Sequence, residues 1–455
     1  MFVTLRRKLF LSLLFIPQIV VAQTFPVQQF PNHLFRSPLN IPITLAGGYG
    51  EIRPGHFHEG LDMKTEGRIG LPVHAAAAGY ISRVAISNTG FGHVIYITHP
   101  DGYTTVYGHL HRFSPDLEKY VKQKQYKQES WAIDLHLSPG QFPVKQGQFI
   151  AYSGATGSVA GPHVHFEIRN TKTEHPLNGL LFGFDIKDNI PPTIYRIALY
   201  NMNKSIYEQT PDFYEIRKEN GIYVPSKNLL LFNGNEVGFG VQALDHMNNT
   251  TSSFGIYEEI LYDDGKPQIG FQLNNIGYDE TRYVDAHTDY KTFKETGRHF
   301  ELLFSLPGNK LPVYYTFEGN GTIHISDGKV HAIKILVRDA DDNTSTVKFN
   351  VRKNPAYKVS FPNSCANTMY VNSRNIFENN NVQFNLEPGT LYDSICFNYH
   401  QISINKPGYY SDIFQLGNSD IPLYYPFRLS LKPQKPVPDS LRNKVIIVRQ
   451  DTHGR

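Results

Sequence analysis

Gly161-Pro162-His163-Val164-His165-Phe166-Glu167-Ile168 is the stretch on which the reading of this chain turns. Val164, Phe166 and Ile168 alternate with His163, His165 and Glu167, and a period of two puts the apolar three on one face and the polar three on the other. The pattern predicts a half-buried strand starting at a Gly-Pro turn. Positions i and i+2 lie roughly 6.5 Å apart along a strand. The polar face therefore reads either as solvated surface or as the border of a single metal ion.

Composition narrows the setting. The chain has 455 residues, too many for one ordinary core, so two to four domains are expected. Charged residues make up 19% and aromatics 13%, with 36 Gly and 29 Pro, which suits sheets joined by tight turns. A net charge of +3 supplies no basic patch, so nucleic acid is not an expected partner. Arg6-Arg7-Lys8 precede an apolar run to Ala22 that Pro17 interrupts, and Val20-Val21-Ala22 offers a cleavage site. Residues 1–22 thus read as a signal peptide, with no membrane span expected after its removal. Export leaves the periplasm, the cell surface or the medium as destinations. The two cysteines, Cys365 and Cys396, are expected either to pair in a disulfide or to stay as buried thiols.

Along the chain, residues 23–41 form a Pro-rich lead-in. Strand and turn texture begins near Pro42 and continues to Ile186. Val73–Ile81 and Val94–Ile97 read as buried strands, and Asp101-Gly102 as a hairpin turn. Ser114, Pro115, Asp116 and Glu118 signal a helix start, so about 115–128 is expected to be helical, with Ser114 as its cap. Strands are expected again at Trp131–Leu137 and Phe149–Tyr152. Asp188-Asn189-Ile190-Pro191-Pro192 reads as a linker. Beyond it, Val241-Gln242-Ala243-Leu244-Asp245 and the Asn248–Thr250 turn are echoed by Val337-Arg338-Asp339-Ala340-Asp341 and Asn343-Thr344. Strands ending in Asp/Asn turns suggest one or two immunoglobulin-like β-sandwich units over 190–353, broken by a short helix within 279–290. A C-terminal β domain is expected over 357–449. The fold class is therefore mainly β.

The chemistry belongs to the N-terminal part. Twelve of 19 histidines precede residue 176. His-x-His occurs at 56/58, 109/111 and 163/165, and His58 stands four residues before Asp62. Each pattern alone is weak. Together they supply what a catalytic zinc site needs, two histidines and a carboxylate with one position left for water. His58 and Asp62 give two ligands and the 161–168 strand the third. Spacing leaves open whether that third is His163 or His165.

An ordered series of motifs then resembles the lysostaphin/LytM type of zinc metallopeptidase. It runs through Gly48–Arg53, His58–Asp62, Gly70–Val73 with Ala78-Gly79, Gly90–His99, Thr105–Leu110, Val144–Gln148 and Gly154–Ser158, and closes on Gly161–Glu167. The resemblance covers roughly a third of the chain and implies a compact antiparallel β peptidase domain, here 42–186, carrying an insertion at 114–141 where most relatives have a short connection. It implies one Zn2+ per chain held by His58, Asp62 and His165, with His163 as general base or transition-state stabiliser and His109 as a second catalytic histidine. Arg53, His99 and Glu167 are expected to brace the ligands or touch substrate. The implied activity is a zinc endopeptidase cutting stem or cross-bridge peptides of peptidoglycan, with the C-terminal β modules contacting the wall or a protein partner. A non-catalytic peptidoglycan-binding regulator and a secreted protease acting on proteins are the rival readings.

Overall fold

The computed structural model describes residues 25, 26, 28–358 and 365–449; the expected signal peptide lies outside them. The chain is mainly β. The first large sheet has nine strands. Seven of them run across it in the spatial order β1 (Leu45–Gly47), β2 (Leu61–Lys64), β7 (His163–Asn170), β5 (Tyr103–Leu110), β4 (His93–Thr98), β3 (Gly79–Ile86) and β6 (Ile133–His136). Asp101-Gly102 closes the β4–β5 hairpin, with Gly102 at φ 85°. The expected strand over Val73–Ile81 is instead broken. Pro72–His74 joins a separate three-stranded sheet, Ala75–Ala78 cross between the two sheets, and β3 starts at Gly79. Ala75 and Ala76 donate their N–H groups to Gln148 O and to the Tyr107 hydroxyl, which takes them out of any ladder.

The β7 strand differs from its expectation as well. Its apolar face is buried, with Val164, Phe166 and Ile168 all 0% exposed. Its polar face is buried too: His165 is 5% and Glu167 1% exposed. The cause is cover from elsewhere in the chain, Phe91 against His165 and Tyr278 against Glu167. Burying the three apolar side chains is worth about 2–3 kcal/mol each. That locks the register, since a one-residue slip would send them to the wrong face and take His165 out of the site.

The segment expected as an insertion folds as helix α1 (Pro115–Gln128) followed by β6, which adds to the β3 edge of the sheet. Leu117 and Val121 anchor the helix. Ser114 occupies the position before the helix but makes no capping bond. The Glu118 carboxylate instead accepts from Phe113 N–H, and Pro115 needs no partner for its nitrogen.

A second, twelve-stranded sheet follows the linker. It includes β8 (Thr193–Asn201), β9 (Asp212–Glu219), β10 (Glu236–Leu244), β11 (Glu258–Asp263), β12 (Lys266–Gln272), β13 (His331–Arg338) and β14 (Thr344–Lys353). One end of β9 pairs with β8 and the other with Ile222–Pro225, so this strand passes from one half of the sheet to the other. Within 279–296 the β pattern gives way to short helical turns at Thr281–Tyr283, Val284–His287 and Tyr290–Thr296. This segment and Tyr278 just before it touch both neighbours. Thr281 Oγ1 accepts from Phe57 N–H and Tyr278 reaches Glu167 in the first sheet. Tyr283 stacks on Tyr424, and Arg282 O accepts from the Tyr392 hydroxyl, in the C-terminal part. That last part holds small two- and three-stranded sheets and the Cys365–Cys396 disulfide.

Candidate metal centre

The site forms where β2, β7 and β5 lie side by side. Register places His165 opposite Asp62 on one side and opposite Gly108 on the other. His58 follows the short strand His56–Phe57 and turns back over β2. Gly60, between them, is dictated by space: a Cβ there would come within 2.6 Å of the His165 ring and 2.9 Å of Phe166 O. On β5, a shift in register against β4 opens a bulge around Gly108-His109, and His109 takes φ 59°. The bulge brings the His109 ring to 4.8 Å from that of His163.

Three side-chain atoms converge. His58 Nε2 is 3.1 Å from Asp62 Oδ1, His165 Nδ1 is 2.9 Å from the same oxygen, and the two nitrogens are 3.2 Å apart. His163 Nε2 lies 3.3 Å from Asp62 Oδ1 as well. The opposite nitrogen of each ring already has an acceptor: His58 Nδ1 meets Gly48 O, His165 Nε2 meets Glu167 Oε1, and His163 Nδ1 meets Gly161 O. Those partners assign the ring protons to the far side, leaving lone pairs aimed at one carboxylate oxygen. Lone pairs on three nitrogens crowding an anionic oxygen repel unless a cation lies among them. Two imidazoles and a carboxylate are the donor set zinc takes, and partners fixing each tautomer are what such ligands need. The residues therefore fit a metal ion.

Burial pushes His165 down, but bonds to Asp62 and Glu167 overcome it and lift the ring to about 9. Glu167 is fully enclosed, yet Arg169 and His165 bring it down to about 2. Arg169 Nε donates to Glu167 Oε2 at 2.6 Å and the Tyr278 hydroxyl to Oε1 at 2.6 Å. His109 is lowered to about 4, by burial first and then by the charges of His165 and His163, so it is neutral near pH 7. Its Nδ1 donates to Thr156 O at 2.9 Å, which leaves Nε2 as an acceptor.

Arg53 also belongs to the cluster: its guanidinium donates to Asp62 Oδ2 at 2.9 Å and approaches Glu51 at 3.4 Å. His99 does not join it. Its ring is spent on Ala78 O and Thr105 Oγ1, each at 2.8 Å, in the core of the domain. His56 bonds Pro54 O at the surface. Two residues absent from the sequence reading complete the site. Arg169 stands two positions beyond Glu167 on the same strand face, so its place was legible from period two. Tyr278 lies more than a hundred residues downstream in another unit and carried no local signal.

A groove of about 530 Å³ is lined by Phe91, Gly92, Gln128, Ala132, Ile133 and Asp134 among others, and by none of His58, Asp62, His109, His163 or His165. The Phe91 ring stands 5.1 Å from that of His165.

Comparison with known proteins agrees with this geometry. The model described as Peptidase family M23 matches residues 56–126 and 132–178, a span that holds His58, Asp62, His109, His163 and His165. Over these residues, about a quarter of the chain, the protein resembles peptidase family M23. A Zu5-like domain matches 366–455. The M23 region is similar to an uncharacterized metalloprotease of Haemophilus influenzae, 34% identical over 30% of this chain and 22% of that protein. It also resembles the peptidoglycan DD-endopeptidase ShyC of Vibrio cholerae, 32% identical over 24% of this chain and 19% of that one. Lysostaphin of Staphylococcus staphylolyticus is 31% identical over 25% of this chain and 18% of its own length. The matched region spans about a fifth of these curated relatives. Among the described residues no helix is long and apolar enough to cross a membrane.

Proposed function

We propose that the chain is an exported zinc endopeptidase that hydrolyses peptide bonds in the stem or cross-bridge peptides of peptidoglycan, at the periplasm or cell surface. The observation that carries this reading is the convergence of His58 Nε2, His165 Nδ1 and Asp62 Oδ1, each imidazole oriented by a partner on its far nitrogen. Relatives named as peptidoglycan DD-endopeptidases support the substrate class.

His58, Asp62 and His165 would hold one zinc ion. Bound there, zinc would lower the pKa of water to about 7 and polarise the scissile carbonyl. His163 presents Nε2 at the edge of the cluster, 3.3 Å from Asp62 Oδ1, and takes the proton of the attacking water. The imidazolium so formed donates to the developing oxyanion and then returns its proton to the leaving amine. His109, neutral and buried, supplies a second acceptor at Nε2 and steadies the water. Arg53 holds the outer oxygen of Asp62, leaving Oδ1 to the ion. The groove between Phe91 and the insertion accepts the peptide. The β modules that follow would contact the wall or a protein partner.

Digestion of purified cross-linked muropeptides, with products read by mass spectrometry before and after chelation, tests this. New amino termini within stem or bridge peptides that vanish with chelator are expected. Cleavage of denatured protein but not of muropeptides would overturn the substrate assignment. Stoichiometric zinc with no turnover of either would overturn the enzymatic one.

A further inference from the structure

The linker and the second sheet hold a group of carboxylates that the peptidase chemistry does not use. Asp188 comes from the linker, Asp245 follows the end of β10, and Asp339 follows the end of β13. The last two sit in the echoed strand-plus-turn segments. One carboxylate oxygen from each of the three lies within 4.8 Å of the others. Asp245 and Asp339 are each only 2% exposed. Asp245 Oδ1 and Asp188 Oδ2 are both buried and have no hydrogen-bond partner. Leaving such oxygens orphaned is costly.

The surrounding backbone is built to hold these groups together. Asp339 Oδ1 accepts from Asp341 N–H and Asn343 N–H, and its Oδ2 from the Asn343 amide. Asn343 Nδ2 also approaches Asp188 O at 3.4 Å. Asn248 and Asn189 bond to one another, tying the linker to the turn after β10. Asp245 pairs with Phe254 through both backbone groups. The charges that bear most on Asp245 are Asp188, Asp339 and Asp341, all of its own sign. Burial first, and then these neighbours, lift its carboxyl to about 8.

We propose that Asp188, Asp245 and Asp339 form a Ca2+ site that clamps the linker behind the peptidase domain to the second β unit. All donors are oxygens, which excludes a preference for zinc. Three carboxylates from three segments supply up to six oxygens, a number that Ca2+ accepts in loose geometry and Mg2+ seldom does.

Calorimetric titration of the full, zinc-loaded chain with CaCl2 in calcium-free buffer tests the site. One equivalent should bind with a dissociation constant of about 1 mM or tighter, and Ca2+ should raise the melting temperature by several degrees. Asp245→Asn and Asp188→Asn should each abolish both responses, while Asp263→Asn, in a separate and more exposed acidic group, should keep them. Metal-free Asp245→Asn should melt no lower than the metal-free wild type, because the amide keeps the shape of the carboxyl and cannot ionise among its acidic neighbours. The linker variant Asp188→Asn keeps the test decisive if Asp245→Asn does not fold. Absence of saturable binding, equal binding by the variants, or equal affinity for Mg2+ would overturn the proposal.

Discussion

At the scale of single residues, the site is a set of rings whose far sides are tied down. His165→Ala should lose metal and activity together, as read by plasma emission and muropeptide turnover. His163→Ala and His109→Ala should each retain metal and lose activity by about 10²-fold or more. Loss of metal in His163→Ala would make that residue a ligand. A more local test is Gly60→Ala. The added methyl meets the His165 ring and the Phe166 carbonyl, so the ring must tilt away from Asp62, and zinc affinity should fall by about tenfold or more in chelator competition. Unchanged affinity would mean that the backbone yields. Much of this cluster was legible beforehand, because strand period and the His58–Asp62 spacing place five of its members. What could not be read was which imidazole nitrogen faces inward. That depends on Gly48 O, Gly161 O and Glu167, whose positions follow from tertiary folding. Nor was it legible that His99 would be consumed by Ala78 and Thr105.

Elements show where local pattern and tertiary context part. Helix α1 was readable from Pro115 and the acidic first turn, but its expected cap at Ser114 was displaced by Glu118 reaching back to Phe113. The break in the 73–81 strand was not readable, since alanines suit many conformations and only packing against Tyr107 and Gln148 decides. The segment 114–141, expected as an insertion although the family match covers all of it but 127–131, occupies the edge of the sheet farthest from β1 and lines the groove with Gln128 and Ile133–Asp134. Deleting 114–130 with the fold kept should shift the profile of muropeptides cut, read by mass spectrometry; an unaltered profile would remove the insertion from substrate choice. The turns after β10 and β13 carry their own pH signature. Asp188, Asp245 and Asp341 are lifted to about 6, 8 and 6 by burial and by one another, and Asp339 is raised as well. Their folded values lie above the unfolded value near 3.9, so the folded state binds the extra protons. Their contribution to stability is complete below about pH 4 and is lost as pH rises toward 8. In metal-free buffer the advantage of Asp245→Asn over wild type in urea denaturation should widen between pH 5 and pH 8, by about 1 kcal/mol or more. A constant difference would contradict the burial and repulsion that raise these carboxyls.

For the whole molecule, the segment from Leu273 to Tyr283 matters most. Asn178 bonds the backbone of Leu273 and Asn274, Ile276 N–H donates to Pro176 O, and Tyr278 holds Glu167. Tyr278→Phe should weaken zinc retention by several-fold up to about tenfold and leave the melting temperature nearly unchanged. The opposite pattern would make Tyr278 a packing residue alone. This dependence has a consequence for timing. On the ribosome, His58, Asp62 and His165 are all made before Tyr278 exists, so the peptidase region has its ligands but lacks one of the two donors that hold Glu167 against His165. A nascent or proteolytically shortened chain ending near residue 190 should therefore be a leaky zinc binder and a slow enzyme. Full competence would arrive only when the downstream unit has docked, a safeguard against cutting before the molecule is finished.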